Sequence, residues 1–147
     1  MRVSGTRAEL QYLTVTSDFT AAAWNTVAQH RVLTVTGSVR ALILPRITGS
    51  LTSGGALTNQ IGITGSTAAF VGATAVAAMT LNNVWLSTTP AAQFAFTSLI
   101  DRIVAASQNI GYEILVAAAT AGTIVWECYW EPLSSTGNVV AATGGAL

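Results

Sequence analysis

Thr123-Ile-Val-Trp-Glu-Cys-Tyr-Trp-Glu131, followed at once by Pro132, is the stretch that decides the fold. Side chains of an extended strand point alternately to opposite faces. Ile124, Trp126, Cys128 and Trp130 therefore share one face, and Val125, Glu127, Tyr129 and Glu131 share the other. The tryptophan face reads as core and the glutamate face as wet or interfacial. Pro132 then ends the ladder, because it has no N–H to donate. Upstream, Ile110, Tyr112, Ile114 and Val116 repeat the alternation, with Glu113 pointing the other way.

Working outward, turn-forming clusters punctuate the chain at short intervals: Gly37-Ser38, Gly49-Ser50, Ser53-Gly54-Gly55, Gly65-Ser66, Asn82-Asn83, Pro90, Gln108-Asn109, Gly122 and Ser134-Ser135. Between them lie short runs of Val, Ile, Leu, Thr and aromatic residues, which suit a pleated, half-buried surface. The pattern predicts strands over Glu9–Thr16, His30–Thr36, Val39–Ile47, Leu57–Thr64, Ala69–Thr74, Val84–Thr88, Phe94–Val104, Ile110–Ala118 and Thr123–Glu131. Strands at this spacing make an all-β antiparallel sandwich or barrel. Asp18 to Val27 has room for a helical turn capped by Asp18. Phe94 to Ala106 fits a helical face as well as a strand, and strand is the expectation adopted. No linker divides the chain, so residues 1–147 read as one domain. Residues 1–8 and 134–147 have little with which to bury themselves, and are expected as extended arms laid on a neighbour.

Only 8% of the 147 residues are charged, against a usual figure of about 25%. There is no Lys, the formal net charge is zero, and no ionisable side chain occurs between Arg46 and Asp101. Neutral, charge-poor surfaces favour association. Lys and Glu are also the residues that interfaces shed. The composition thus points to self-association and to outer faces covered by partners. Six scattered Arg among six acids give no patch for phosphates, so no nucleic-acid partner is expected. No membrane partner is expected either: the most apolar window, Ala68 to Leu81, is broken by Gly72 and Thr74 and is too short to span a bilayer. Arg2 is followed by Val-Ser-Gly-Thr-Arg instead of an apolar run, which is no export signal.

The residues that carry chemistry are few. His30 is the one histidine and is expected at a strand edge or interface, since geometry and not presence makes a triad. Cys128 falls on the tryptophan face and reads as a small buried hydrophobe, because reactive thiols need exposure and nearby positive charge. Glu127 and Glu131 share a face, but four residues of strand part them by roughly 13 Å. Glycosidase carboxylates sit roughly 5–9.5 Å apart. Glu113 would approach Glu127 only if their strands were paired. No metal-ligand spacing and no phosphate-binding glycine loop is present, so no cofactor, no metal and no catalytic residue is expected. Trp85, Tyr12 and Phe94, if exposed, would suit a carbohydrate-binding face.

Several stretches resemble small proteins from the structural gene clusters of tailed bacteriophages. They are Trp24 to His30 (WNTVAQH), Val35 to Arg40 (VTGSVR), Leu51 to Gly55 (LTSGG), Thr67 to Phe70 (TAAF) with Trp85 beyond, and Trp130 to Leu133 (WEPL). The resemblance implies a non-enzymatic virion component, specifically a capsid cement or decoration protein with a jelly-roll-like sandwich. Its partner would be the major capsid protein and its place the capsid surface. A tail, neck or head-fibre component shares the same features. The resemblance carries no catalytic residues. It implies instead a homo-oligomer, dimer or trimer, that grips the shell through edge strands and arms; the interface residues expected on this chain are Arg2, Arg7, Arg46, Glu127 and Glu131.

Overall fold

The alternation along residues 123–131 holds in three dimensions. Ile124, Trp126 and Cys128 are fully buried and Trp130 nearly so, while Val125, Glu127, Tyr129 and Glu131 stay partly open. The structure, a computed structural model, describes residues 10–95, 99–105 and 108–147. Among these run β1 (Gln11–Asp18), the short helix α1 (Ala22–Asn25), β2 (Gln29–Thr36), β3 (Val39–Ser53), β4 (Thr58–Ile63) and β5 (Ser66–Ala75). A 3₁₀ turn (Val76–Ala78) follows, then β6 (Ile100–Val104), β7 (Ile110–Leu115), β8 (Ala119–Pro132) and β9 (Asn138–Ala141).

The strands form two sheets, in the orders β1-β8-β3-β6 and β5-β4-β7-β2-β9, with every pairing antiparallel. Consecutive strands change sheet at each connection except one, the β4–β5 hairpin, where Gly65 takes φ +79 in the turn. Strands β1 to β8 in this order make two interlocked Greek keys, the jelly-roll arrangement. β9 is added beside β2. The expected all-β sandwich is therefore the observed fold.

Aromatic rings join the two sheets. Tyr112 of β7 stacks on Trp126 of β8, with centroids 5.5 Å apart and planes 5° from parallel. Phe19, Trp24 and His30 also pack on Tyr112, and Trp85 lies tilted against Trp126. A buried ring with a polar atom needs a partner for it, and Trp126, Trp85 and Tyr112 have theirs. Trp126 Nε1 donates to Ser17 Oγ at 2.9 Å, Trp85 Nε1 to Thr74 Oγ1 at 3.0 Å, and Tyr112 OH to the Trp24 carbonyl at 2.6 Å.

Several expected elements differ. Val84–Thr88 is no strand: Val84 makes isolated bridges to Arg46 and Ala91, and Trp85 turns into the core. The cause lies in β3, whose ladder with β6 covers Val39 to Ile43. Beyond it Pro45 offers only a carbonyl, which accepts the Trp85 N–H at 2.9 Å. Of the strand expected over Phe94–Val104, only Ile100–Val104 is strand; Phe94, Ala95 and Leu99 are not, and residues 96–98 lie outside the described residues. Val116 does not continue β7 inward. It sits at φ +73, 75% exposed, in the turn to β8. Asp18 does not cap α1 but accepts hydrogen bonds from Thr20.

The C-terminal segment 134–147 is not a free arm. β2 exposes an open edge, and the β-branched pair Val139-Val140 supplies a strand that covers it, with Leu33 to Thr36 facing Ala141 to Asn138. The Ala142 N–H continues to the Val32 carbonyl at 2.8 Å, and Arg31 N–H reaches Gly145 O at 2.9 Å. The expected arm of residues 1–8 lies outside the described residues.

Two outcomes follow from this core. Ser17→Ala leaves the Trp126 N–H buried without an acceptor and should cost about 1–3 kcal/mol in urea unfolding; an unchanged midpoint would remove the hydrogen bond from the account. Burial pushes the Cys128 thiol up to about 12, so at neutral pH a thiol reagent should react with it only after denaturant is added.

Candidate interaction surface

The outward residues of β1, β8, β3 and β6 form one face, set by register. Tyr12 lies opposite Tyr129, which lies opposite Leu42, which lies opposite Asp101. The neighbouring row carries Glu131, Arg40 and Ile103, and the row on the other side carries Thr14, Glu127 and Leu44. A groove of about 480 Å³ crosses this face, lined by Leu10, Arg40, Leu42, Leu99, Asp101, Tyr129 and Glu131. Exposed apolar side chains flank it, Ile103 at 74% and Tyr12 at 53%. The Tyr12 ring rests on Tyr129 with centroids 4.8 Å apart.

The charges of this face are tied to one another. Arg40 donates from Nε and Nη2 to both carboxylate oxygens of Asp101, at 3.1 and 2.7 Å. Its Nη1 donates to Glu131 Oε1 at 3.3 Å. Arg46 donates from Nε and Nη2 to Glu127 Oε1 at 3.0 and 2.7 Å. Bidentate pairing of this kind fixes geometry more than it adds stability at an exposed site. Its electrical effect is visible at Asp101, whose carboxyl is held below its ordinary value by the Arg40 hydrogen bonds, outweighing partial desolvation. Arg40 is in turn held more firmly protonated by Asp101 and Glu131.

Of the five expected interface residues, Arg46, Glu127 and Glu131 lie on this face; Arg2 and Arg7 lie outside the described residues. Arg46 and Glu127 satisfy each other, so they present a paired surface instead of free charges. Arg40, Asp101, Leu42 and Tyr129 were not singled out from the sequence. The signal was there for one strand: in β3 the alternation of Arg40, Leu42, Leu44 and Arg46 puts all four on one side. Asp101 entered through the pairing of β6 with β3, which sequence alone does not fix.

The residues expected to bear on chemistry are placed as follows. His30 is buried in the core and not at a strand edge, because α1 folds over it. Its Nδ1 and Nε2 lie 3.0 and 2.8 Å from the carbonyl oxygens of Ala23 and Thr26. Glu113 lies on β7 and accepts from Gln60 Nε2 at 2.6 Å, so it and Glu127 face outward from opposite sheets. Trp85 is fully buried and offers nothing to a sugar, and Phe94 is partly buried against the core. Of that trio only Tyr12 is well exposed. Among the described residues no cluster of His, Cys, Asp and Glu could hold a metal ion, and no helix is long and apolar enough to cross a membrane.

Because the folded-state Asp101 pKa is depressed, its contribution is complete above the ordinary carboxylate range and is lost as pH falls through the lowered value. An NMR titration should place Asp101 below 3.8, and Arg40→Ala should move it upward; a midpoint unmoved by that substitution would refute the pairing. No protein-family profile, no curated protein and no solved structure matches this chain.

Proposed function

We propose that this chain is a non-enzymatic structural protein of a virus particle, a cement or decoration protein on the outer surface of a bacteriophage head. The observation that carries the reading is the outer face of the β1-β8-β3-β6 sheet. Three ion pairs link five of its ionised groups, Arg40 with Asp101 and Glu131, and Arg46 with Glu127, and a largely apolar groove opens beside the first of these clusters. A neighbour that approaches this part of the face meets charges that already have partners, whereas burying an unpaired charge would cost several kcal/mol. An apolar centre with a polar, hydrogen-bonded rim is also the anatomy of protein–protein contacts. The jelly-roll strand order supports the reading as a fold common to capsid domains, though lectins and cupins share it. The likeness of Trp24 to Leu133 to phage structural proteins adds the viral context.

A tail, neck or head-fibre position is the nearest alternative. A carbohydrate-binding role has one supporting observation, the exposed Tyr12 ring against Tyr129. Electron cryo-microscopy of particles from the phage that encodes the chain tests all three. Density for this sandwich on the head exterior, sheet face toward the shell, is the expected result. Density on the tail or a fibre would transfer the protein there. Particles that lack the chain altogether would end the virion assignment.

A further inference from the structure

Among the described residues each sheet ends in two strands with one side unpaired, β1 and β6 in one sheet, β5 and β9 in the other. Open edges invite pairing with other chains, and folded proteins blunt them with brevity, bulges, prolines or charges. β9 has four residues, and β5 is irregular, its ladder with β4 shifting register twice. β6 has five residues, and Arg102, opposite the fully buried Ala41, puts a charge on its inner side. β1 has none of these devices. It runs for eight residues, Gln11–Asp18, and pairs with β8 without a register shift. From Gln11 to Ser17 it contains no charge, proline or glycine.

The hydrogen-bonding phase of β1 is fixed at its end, where the Phe19 N–H donates to Gly122 O at 3.0 Å. Backbone groups alternate between the two sides of an antiparallel strand. Ser17, Val15 and Leu13 therefore turn theirs to β8, and Tyr12, Thr14 and Thr16 turn theirs to the open side. The side chains of these last three are exposed on the outer face. We propose that the open side of β1 pairs with β1 of a second copy of this chain, antiparallel about a two-fold axis at Thr14. Thr14 then lies opposite the partner's Thr14 and Tyr12 opposite the partner's Thr16, and each pair exchanges its edge-directed N–H and C=O groups. On the inner side Val15 meets the partner's Leu13, so both faces continue across the join. The charge pattern suits this partner. Asp18, the strand's one ionised group, falls roughly 26 Å from the partner's Asp18, so no like charges oppose each other. A chain of zero net charge adds little general repulsion. The pairing is reciprocal and closes a dimer.

Dimerisation needs no particle, so it can fail while the virion reading stands, and the reverse. Sedimentation of the 147-residue chain over a wide concentration range should show a monomer–dimer equilibrium that stops at the dimer. Hydrogen exchange should find the Tyr12, Thr14 and Thr16 amides protected at high concentration and unprotected on dilution. Thr14→Pro removes an edge-directed N–H, and Thr14→Lys sets two cations opposite each other at the axis. Each should raise the dimer dissociation constant by about tenfold or more. Thr14 is exposed, so Thr14→Lys should keep the parent's thermal melting, and it serves if Thr14→Pro fails to fold. A parent chain that stays monomeric overturns the proposal, as do variants that associate like the parent. Amides protected at every dilution would mean that the chain covers its own edge, and growth beyond a dimer would mean head-to-tail pairing of β1 with β6. Either result overturns it.

Discussion

The flat contact between Tyr112 and Trp126 is what the rest of the structure depends on. Each ring projects from a strand that has neighbours on both sides, β7 in one sheet and β8 in the other. Phe19, Trp24, His30 and Trp85 pack around this pair. The polar atoms of the rings dictate much of the local chain path. Ser17 must lie under Trp126, the end of α1 must bring its carbonyl to Tyr112, and Thr74 must face Trp85. Burial of rings this large supplies several kcal/mol apiece, and the hydrogen bonds prevent their polar atoms from taking that back.

How much of this was legible in the sequence depended on whether the deciding interaction was local. The faces of β8 and most of β7 followed from period-two alternation, because a strand that is buried on one side records its own orientation. Val116 broke the pattern for a backbone reason: it takes a positive φ, which an apolar letter does not announce. Trp85 looked like a strand residue, but its direction is set by Pro45, forty residues earlier, which lacks the N–H that would extend the ladder. The C-terminal strand was hidden because Val139-Val140 amid Gly, Ser and Thr looks too weak to hold itself. Its stability comes from the open edge of β2. The candidate surface was half visible: Glu127 and Glu131 came from β8 alone, whereas Arg40 and Asp101 needed the order of strands in the sheet.

The scarcity of ionised groups takes on a more specific meaning in three dimensions. Five of them are gathered on one outer sheet face and linked by three ion pairs. The opposite sheet carries Glu113 against the neutral Gln60. Thr pairs such as Thr48 with Thr123 and Thr52 with Thr120 bridge strands with hydroxyls where other proteins would use charges. A surface of this kind repels little and hydrates modestly, which suits close approach by another polypeptide.

The place of β8 between β1 and β3 has a further consequence, for the order of events as the chain acquires its shape. The two outer partners lie early in the sequence and their common neighbour lies near its end; Ser17 and Trp126, for example, are 109 residues apart. Nothing like the final first sheet can exist on a growing polypeptide until residue 132 has left the ribosome. Topologies dominated by such distant pairings reach their native form on the order of milliseconds to seconds, far slower than helical bundles. During that wait the edges of β1 and β3 stand open together, and an early meeting of two unfinished chains is the hazard the cell must manage.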